Sequence, residues 1–164
     1  MTLNNSLLIE LERETQNTKR VLDRLTDEHW DYKPHAKSMT LGQLATHVVE
    51  LHNWVSGALN REAYDFKIDH TPVEESGVAE LKALLENGYE RNKEVIEQMT
   101  TLQWQEEWTL RAGDWVIAQL PRAAAIRFII NNHLVHHRGQ LTVYLRLLDI
   151  PVPGLYGPSA DESQ

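Results

Sequence analysis

Apolar residues return every three or four positions through four separate stretches of this chain, and several histidines keep the same period. Such spacing specifies helices with one apolar face, since a helix turns once in about 3.6 residues. The first stretch, Asn5–Leu25, places Leu7, Leu8, Leu11, Val21, Leu22 and Leu25 on one side and charges on the other. The second has a clear start. Thr40 can cap it, Gln43 stands at capping-box spacing, and Met39 and Leu44 stand where a hydrophobic staple would. Its apolar stripe runs Leu44, His47, Val48, Leu51, Trp54, Val55. The third carries Val78, Leu81, Leu85, Val95, Ile96 and Met99, with Gly88 as a weak point. The fourth starts near Pro121, a residue suited to a first helical turn, and runs to about Leu148, ahead of Pro151. Its stripe is Ile126, Ile130, His133, His137, Leu141, Tyr144, Leu148.

The connections are polar and contain proline. Thr26–Met39 and Arg61–Ser76 read as loops, and Pro151–Gln164 as an irregular tail. Trp104–Ile117 differs: Trp108 and Leu110 alternate with polar residues, and Arg111-Ala112-Gly113-Asp114 reads as a turn. That pattern fits a short extended excursion, a hairpin. The expected fold is all-α, a four-helix bundle with long connections and this excursion before the last helix. The 164 residues fit one domain spanning 1–164. Long connections are often functional or mark crossovers.

Lys and Arg total 16 against 24 Asp and Glu, a formal net charge of −8. That excess disfavours nucleic-acid binding, which rests on neutralising phosphates. The absence of cysteine removes disulfides, thiolate ligands and cysteine nucleophiles together. No basic segment followed by an apolar run opens the chain, and no window approaches the ~18 apolar residues of a membrane span. The expectation is a cytoplasmic protein with no membrane partner.

The run His133-Leu134-Val135-His136-His137 carries the chemistry. Residues i and i+4 stack on one helix face, with Cβ atoms about 6 Å apart, so two imidazoles can converge on one cation. His133 and His137 lie on the apolar stripe and point inward, as His47 does on the second helix. Together they form a candidate site of three nitrogens, with positions left for water or substrate. The competing reading is ordinary: a lone histidine on an apolar face is usually a core residue with one hydrogen bond. His136 rivals His137 but sits at the edge of the stripe. His29, His35, His52 and His70 have loop or polar-face contexts and read as solvated. Glu50, at i+3 from His47, and Gln140, one turn from the histidine run, are candidates to orient an imidazole or act as a base; a solvated helix surface is the alternative. Arg138 reads as the partner of a carboxylate rather than of an anionic substrate. Tyr156 either covers the mouth of the helices or packs plainly. Trp104, Trp108 and Trp115 read as core or as dimer contact.

The segment His133–Leu141, with Tyr144-Leu145-Arg146, Pro151-Val152-Pro153 and Tyr156-Gly157-Pro158-Ser159, closely resembles the DinB-like family of bacterial proteins. Asp31-Tyr32-Lys33-Pro34 and Leu41-Gly42-Gln43-Leu44-Ala45-Thr46-His47 carry the same resemblance, which spans roughly Asn5 to Glu162. It implies a four-helix bundle holding a divalent metal, usually nickel or zinc, on three histidines carried over to His47, His133 and His137. It also implies a homodimer. The family includes thiol-dependent S-transferases and a maleylpyruvate isomerase that uses a low-molecular-weight thiol.

Two classes of function follow. One is a metal-dependent enzyme acting on a small-molecule substrate, either a hydrolase activating water or an S-transferase activating a low-molecular-weight thiol. The other is a non-catalytic metal-binding stress-response protein in which the ion only stabilises the fold.

Overall fold

The computed structural model describes residues 1–74 and 77–162. Helix α1 spans Leu3–Leu22 and is capped by the Thr2 hydroxyl, which accepts from the Asn5 N–H. Helix α2 spans Leu41–Gly57, and the anticipated capping box between Thr40 and Gln43 forms in both directions. Helix α3 spans Val78–Gln98. After the short strand β1, Ala63–Asp65, and the one-turn helix α4, Thr101–Gln105, come strands β2, Glu107–Ala112, and β3, Trp115–Pro121. The chain closes with a helical rod: α5 at Arg122–Ala125, a π-helical turn at Ile126–Asn131, and α6 at Asn132–Leu147. The π turn lies immediately before His133, and such widened turns often mark functional sites.

The expectation of an all-α bundle is corrected. The long helices pack on one another, but the fold is mixed, because a three-stranded sheet in the order β1-β2-β3 forms beside them. The excursion before the last helix is indeed a hairpin: β2 and β3 pair antiparallel around Gly113, whose φ of 64° is the left-handed conformation that glycine adopts without strain. The loop reading of Arg61–Ser76 fails at Ala63–Asp65. That strand pairs parallel to β2, with Tyr64 opposite Leu110 and Asp65 opposite Arg111. At this length no alternation is visible, and its partner lies far along the chain.

The sheet covers apolar surface that the helices leave open. Trp108 and Leu110 turn inward from β2 and join Tyr64, Leu7, Val55 and Trp104 in one apolar cluster. A second cluster holds Leu22, Leu44, Val48, Leu81, Leu141 and Leu145 at the meeting of the long helices. Trp104 and Trp108 are therefore core, whereas Trp115 is exposed on the edge strand.

Helix α2 packs against both α3 and α6. It consequently buries Ala45, Val49 and His52 as well as Leu44, Val48, Leu51 and Val55 of its predicted stripe, while His47 and Trp54 stay half-buried. His52, expected to be solvated, is only 2% exposed. Its Nε2 lies 2.8 Å from the Thr15 hydroxyl and its Nδ1 lies 2.9 Å from Asn53 Oδ1. Asn92, itself fully buried, donates to the His52 carbonyl at 2.6 Å. Burial pushes the ring down to about 4, so it is neutral at physiological pH.

Arg138 ties α6 to α1. It is 1% exposed, forms an ion pair with Glu14, and donates to the Glu14 carbonyl at 3.0 Å and the Thr18 hydroxyl at 3.1 Å. It also bonds the Tyr156 hydroxyl, which donates to Glu14 at 2.7 Å and so fastens the tail. The carboxylate partner anticipated for Arg138 is Glu14. Among the described residues, no helix is long and apolar enough to cross a membrane.

Candidate metal centre

Helix α2 contributes His47 and helix α6 contributes His133 and His137. One ring nitrogen from each lies within 4.8 Å of the others. The ring centroids are 5.1 Å apart for His47 and His133, and 4.7 Å for both other pairs. Nε2 of His133 and Nε2 of His137 are 2.9 Å apart. Nitrogens bound to zinc at 2.0–2.1 Å in tetrahedral geometry stand about 3.3 Å from one another, so this trio fits a single small cation. All three rings are partly buried, between core and solvent.

The outward nitrogens have partners of their own. Nδ1 of His137 lies 2.7 Å from Gln140 Oε1, one turn along α6. Nδ1 of His47 lies 3.7 Å from Glu50 Oε2, an ion-pair distance rather than a hydrogen bond. Such outer contacts fix ring orientation and tautomer in metal sites. Glu50 is in turn anchored by the Val73 N–H, which donates to its Oε1 at 2.7 Å.

Electrostatics agree with a cation site. Burial first, and the neighbouring imidazoles after it, push His133 down to about 4. Burial also lowers His137, against the opposing bond to Gln140. Both rings are thus neutral near pH 7, the state that binds metals. For Glu50, burial acts upward, but the His47 ring and the Val73 amide outweigh it and hold the carboxyl below its usual value. It is ionised at neutral pH.

Cavities open on two sides of the cluster. One of about 420 Å³ includes Lys37, Met39, Leu44, His137, Gln140 and Tyr144 in its walls. The other, of about 390 Å³, includes Met39, Thr46, His47, Glu50, His70 and Val73. Each meets a histidine of the cluster, so a small molecule can approach from either side.

The structure brings His47, His133 and His137 together, with Glu50 and Gln140 beside them. His136 is exposed and stays outside the group, although its ring lies 4.9 Å from His137. His29 and His35 are likewise outside it. His70 departs from its solvated reading. It is partly buried, its Nδ1 is 3.3 Å from the Tyr64 hydroxyl, and its ring packs edge-on against Phe66 at 5.4 Å. Met39, Thr46 and His70 are cavity residues that sequence reasoning missed. The aromatic run before His70 is a signal that the segment folds back onto the protein; Thr46 has none beyond its position next to His47.

The DinB family model matches residues 1–164. Protein YrdA of Bacillus subtilis is 27% identical over 151 residues, covering 92% of this chain and 86% of that protein. Two solved structures share the fold. The DinB-like protein YjoA of Bacillus subtilis superposes with a TM-score of 0.73 at 18% identity, covering 94% of this chain and 99% of the other. A DinB-like protein of Bacillus cereus gives 0.69 at 24% identity, covering 91% and 95%. With its whole length matched by the family model, the chain belongs to the DinB family.

Proposed function

We propose that this protein is a metal-dependent enzyme in which His47, His133 and His137 hold one divalent cation, nickel or zinc, and present it to a small-molecule substrate. The observation that carries this reading is the convergence of one ring nitrogen from each of three histidines at the edge of two cavities. The group supplies three ligand atoms, whereas closed structural sites use four. That count, with open approaches on both sides, favours catalysis over a purely stabilising ion.

A cation held by neutral imidazoles keeps its full charge and, when bound, acidifies a water or a thiol. Gln140 holds the His137 ring in the ligating orientation. Glu50 stands ionised beside His47, where it steadies that ring and can take a proton from a reactant in the adjoining cavity. Hydrolysis and S-transfer both start from this arrangement. The chain has no cysteine, so a thiolate nucleophile comes from a low-molecular-weight thiol cosubstrate.

The test is a matrix of thiol cosubstrates and electrophiles, including esters and amides without thiol, assayed on metal-free, nickel-loaded and zinc-loaded protein. The expected result is turnover that needs the metal and disappears in His133→Ala. Turnover unaffected by metal removal would overturn the proposal.

A further inference from the structure

The two cavities at the histidine cluster differ in charge. Glu50, which is ionised, lines the one beside His47, and no Lys or Arg does. The cavity beside His137, of about 420 Å³, is lined by Lys37, Ser38 and Gln140 among others, and by no Asp or Glu. Lys37 and Gln140 are exposed and Ser38 is partly so. Among the described residues, Lys37 enters no ion pair. Gln140 turns its Oε1 to His137 Nδ1 at 2.7 Å, which leaves its amide N–H groups for another acceptor. The polar groups of this cavity are therefore an uncompensated ammonium, an amide donor and a hydroxyl.

The loop that carries the lysine is braced. The Ser38 N–H donates to the His35 carbonyl at 2.9 Å, and the Lys37 N–H to His35 Nδ1 at 3.1 Å. Tyr144 of α6, itself 7% exposed, donates its hydroxyl to the Met39 carbonyl at 3.0 Å. The loop is thus tied to the helix that bears His137 and Gln140, and less freedom is lost when a ligand is held between them. Met39 and Val143, 41% and 56% exposed, add apolar surface to the same cavity. A few polar groups among apolar walls fit a ligand with one anionic head and a short apolar body. One ammonium offsets one negative charge, which matches a carboxylate; a phosphate monoester carries about 1.5–2 at neutral pH.

We propose that the His137-side cavity is a subsite for a carboxylate, bound by the Lys37 ammonium and the Gln140 amide, with Met39 and Val143 against the apolar body of the ligand. It rests on the reading of the histidine cluster as a reaction centre, because a carboxylate seated there sets the rest of its molecule beside His137. The substrate class is then a small aliphatic carboxylate. It approaches from the His137 side, since ionised Glu50 repels it from the other.

The experiment follows ¹⁵N–¹H amide shifts of metal-free full-length protein at constant ionic strength, so that no probe can bind through a metal ion. The probes are butyrate, n-butanol, n-butylammonium and butyl phosphate. Saturable shifts at Lys37, Ser38 and Gln140 are expected with butyrate, weaker ones with n-butanol and none with n-butylammonium. Lys37→Gln should weaken butyrate about tenfold, the value of one charge-assisted hydrogen bond, and leave n-butanol unchanged. Lys37→Arg, which keeps the charge, should retain butyrate binding. A lysine that is only solvated would leave the butyrate affinity of Lys37→Gln at its original value, and that result would overturn the proposal. Equal shifts with n-butanol or n-butylammonium, or tighter binding of butyl phosphate, would overturn it as well. Metal uptake is measured separately on the same preparations. Failure to bind butyrate with full metal uptake counts against this subsite alone, and butyrate binding without metal uptake counts against the metal centre alone.

Discussion

Replacing Arg138 by Met removes a guanidinium while keeping most of its aliphatic volume. Arg138 is 1% exposed and bonds the Glu14 carboxylate, the Glu14 carbonyl, the Thr18 hydroxyl and the Tyr156 hydroxyl. The Glu14 side chain is 14% exposed, so the substitution strands a poorly hydrated carboxylate with Tyr156 as its remaining side-chain partner. Breaking a buried pair from one side costs about 3–5 kcal/mol. For a domain of this size each kcal/mol lowers Tm by about 2–4 °C, so a drop of roughly 6–20 °C is expected. The assay is denaturant unfolding followed by circular dichroism, with calorimetry for Tm. Glu14→Leu combined with Arg138→Met removes the stranded charge and should recover part of the loss, a coupling that independent sites would not show. A loss below about 1 kcal/mol, the range of an exposed ion pair, would refute the view that this contact anchors α6 and its histidines.

His52 makes the metal-free protein acid-sensitive. Its folded value of about 4 lies below the ordinary 6.5, so the unfolded chain binds the proton more tightly. Its contribution is fully present above pH 6.5 and falls as pH drops toward 4, by about 3 kcal/mol at the end of that window. Denaturation curves at several pH values should show this slope, and His52→Gln should reduce it, with His133 and His137 supplying the remainder; an unchanged slope in the variant would exclude His52 as a cause. Gly88→Ala should destabilise by about 1–3 kcal/mol, because an added Cβ would stand 1.7 Å from Asn53 Oδ1, the atom that holds His52. Helix propensity alone gives the opposite sign, a gain of about 1 kcal/mol, so a thermal melt decides between them.

Much of this was legible in the residues themselves. The capping box at Thr40 and Gln43 is local chemistry, readable without tertiary context, and it forms. The i,i+4 geometry of His133 and His137 is fixed by the helix, and the apolar stripe of α2 aims His47 at them. What stayed hidden depended on partners distant in sequence. Strand β1 exists because Trp108 and Leu110 need cover, and three residues show no period of their own. His52 looked solvated because α2 was read as having one buried face, whereas its packing on α3 and α6 buries a wider arc. The π turn before His133 follows from packing and has no signature in the run Ile126–Asn131.

Calorimetric titration of nickel or zinc into metal-free protein at pH 7.5 tests the central claim most directly. One binding site per chain is expected, abolished separately by His47→Ala, His133→Ala and His137→Ala and left intact by His136→Ala. Full stoichiometry in any of the first three, or loss of the site in His136→Ala, would contradict the ligand set.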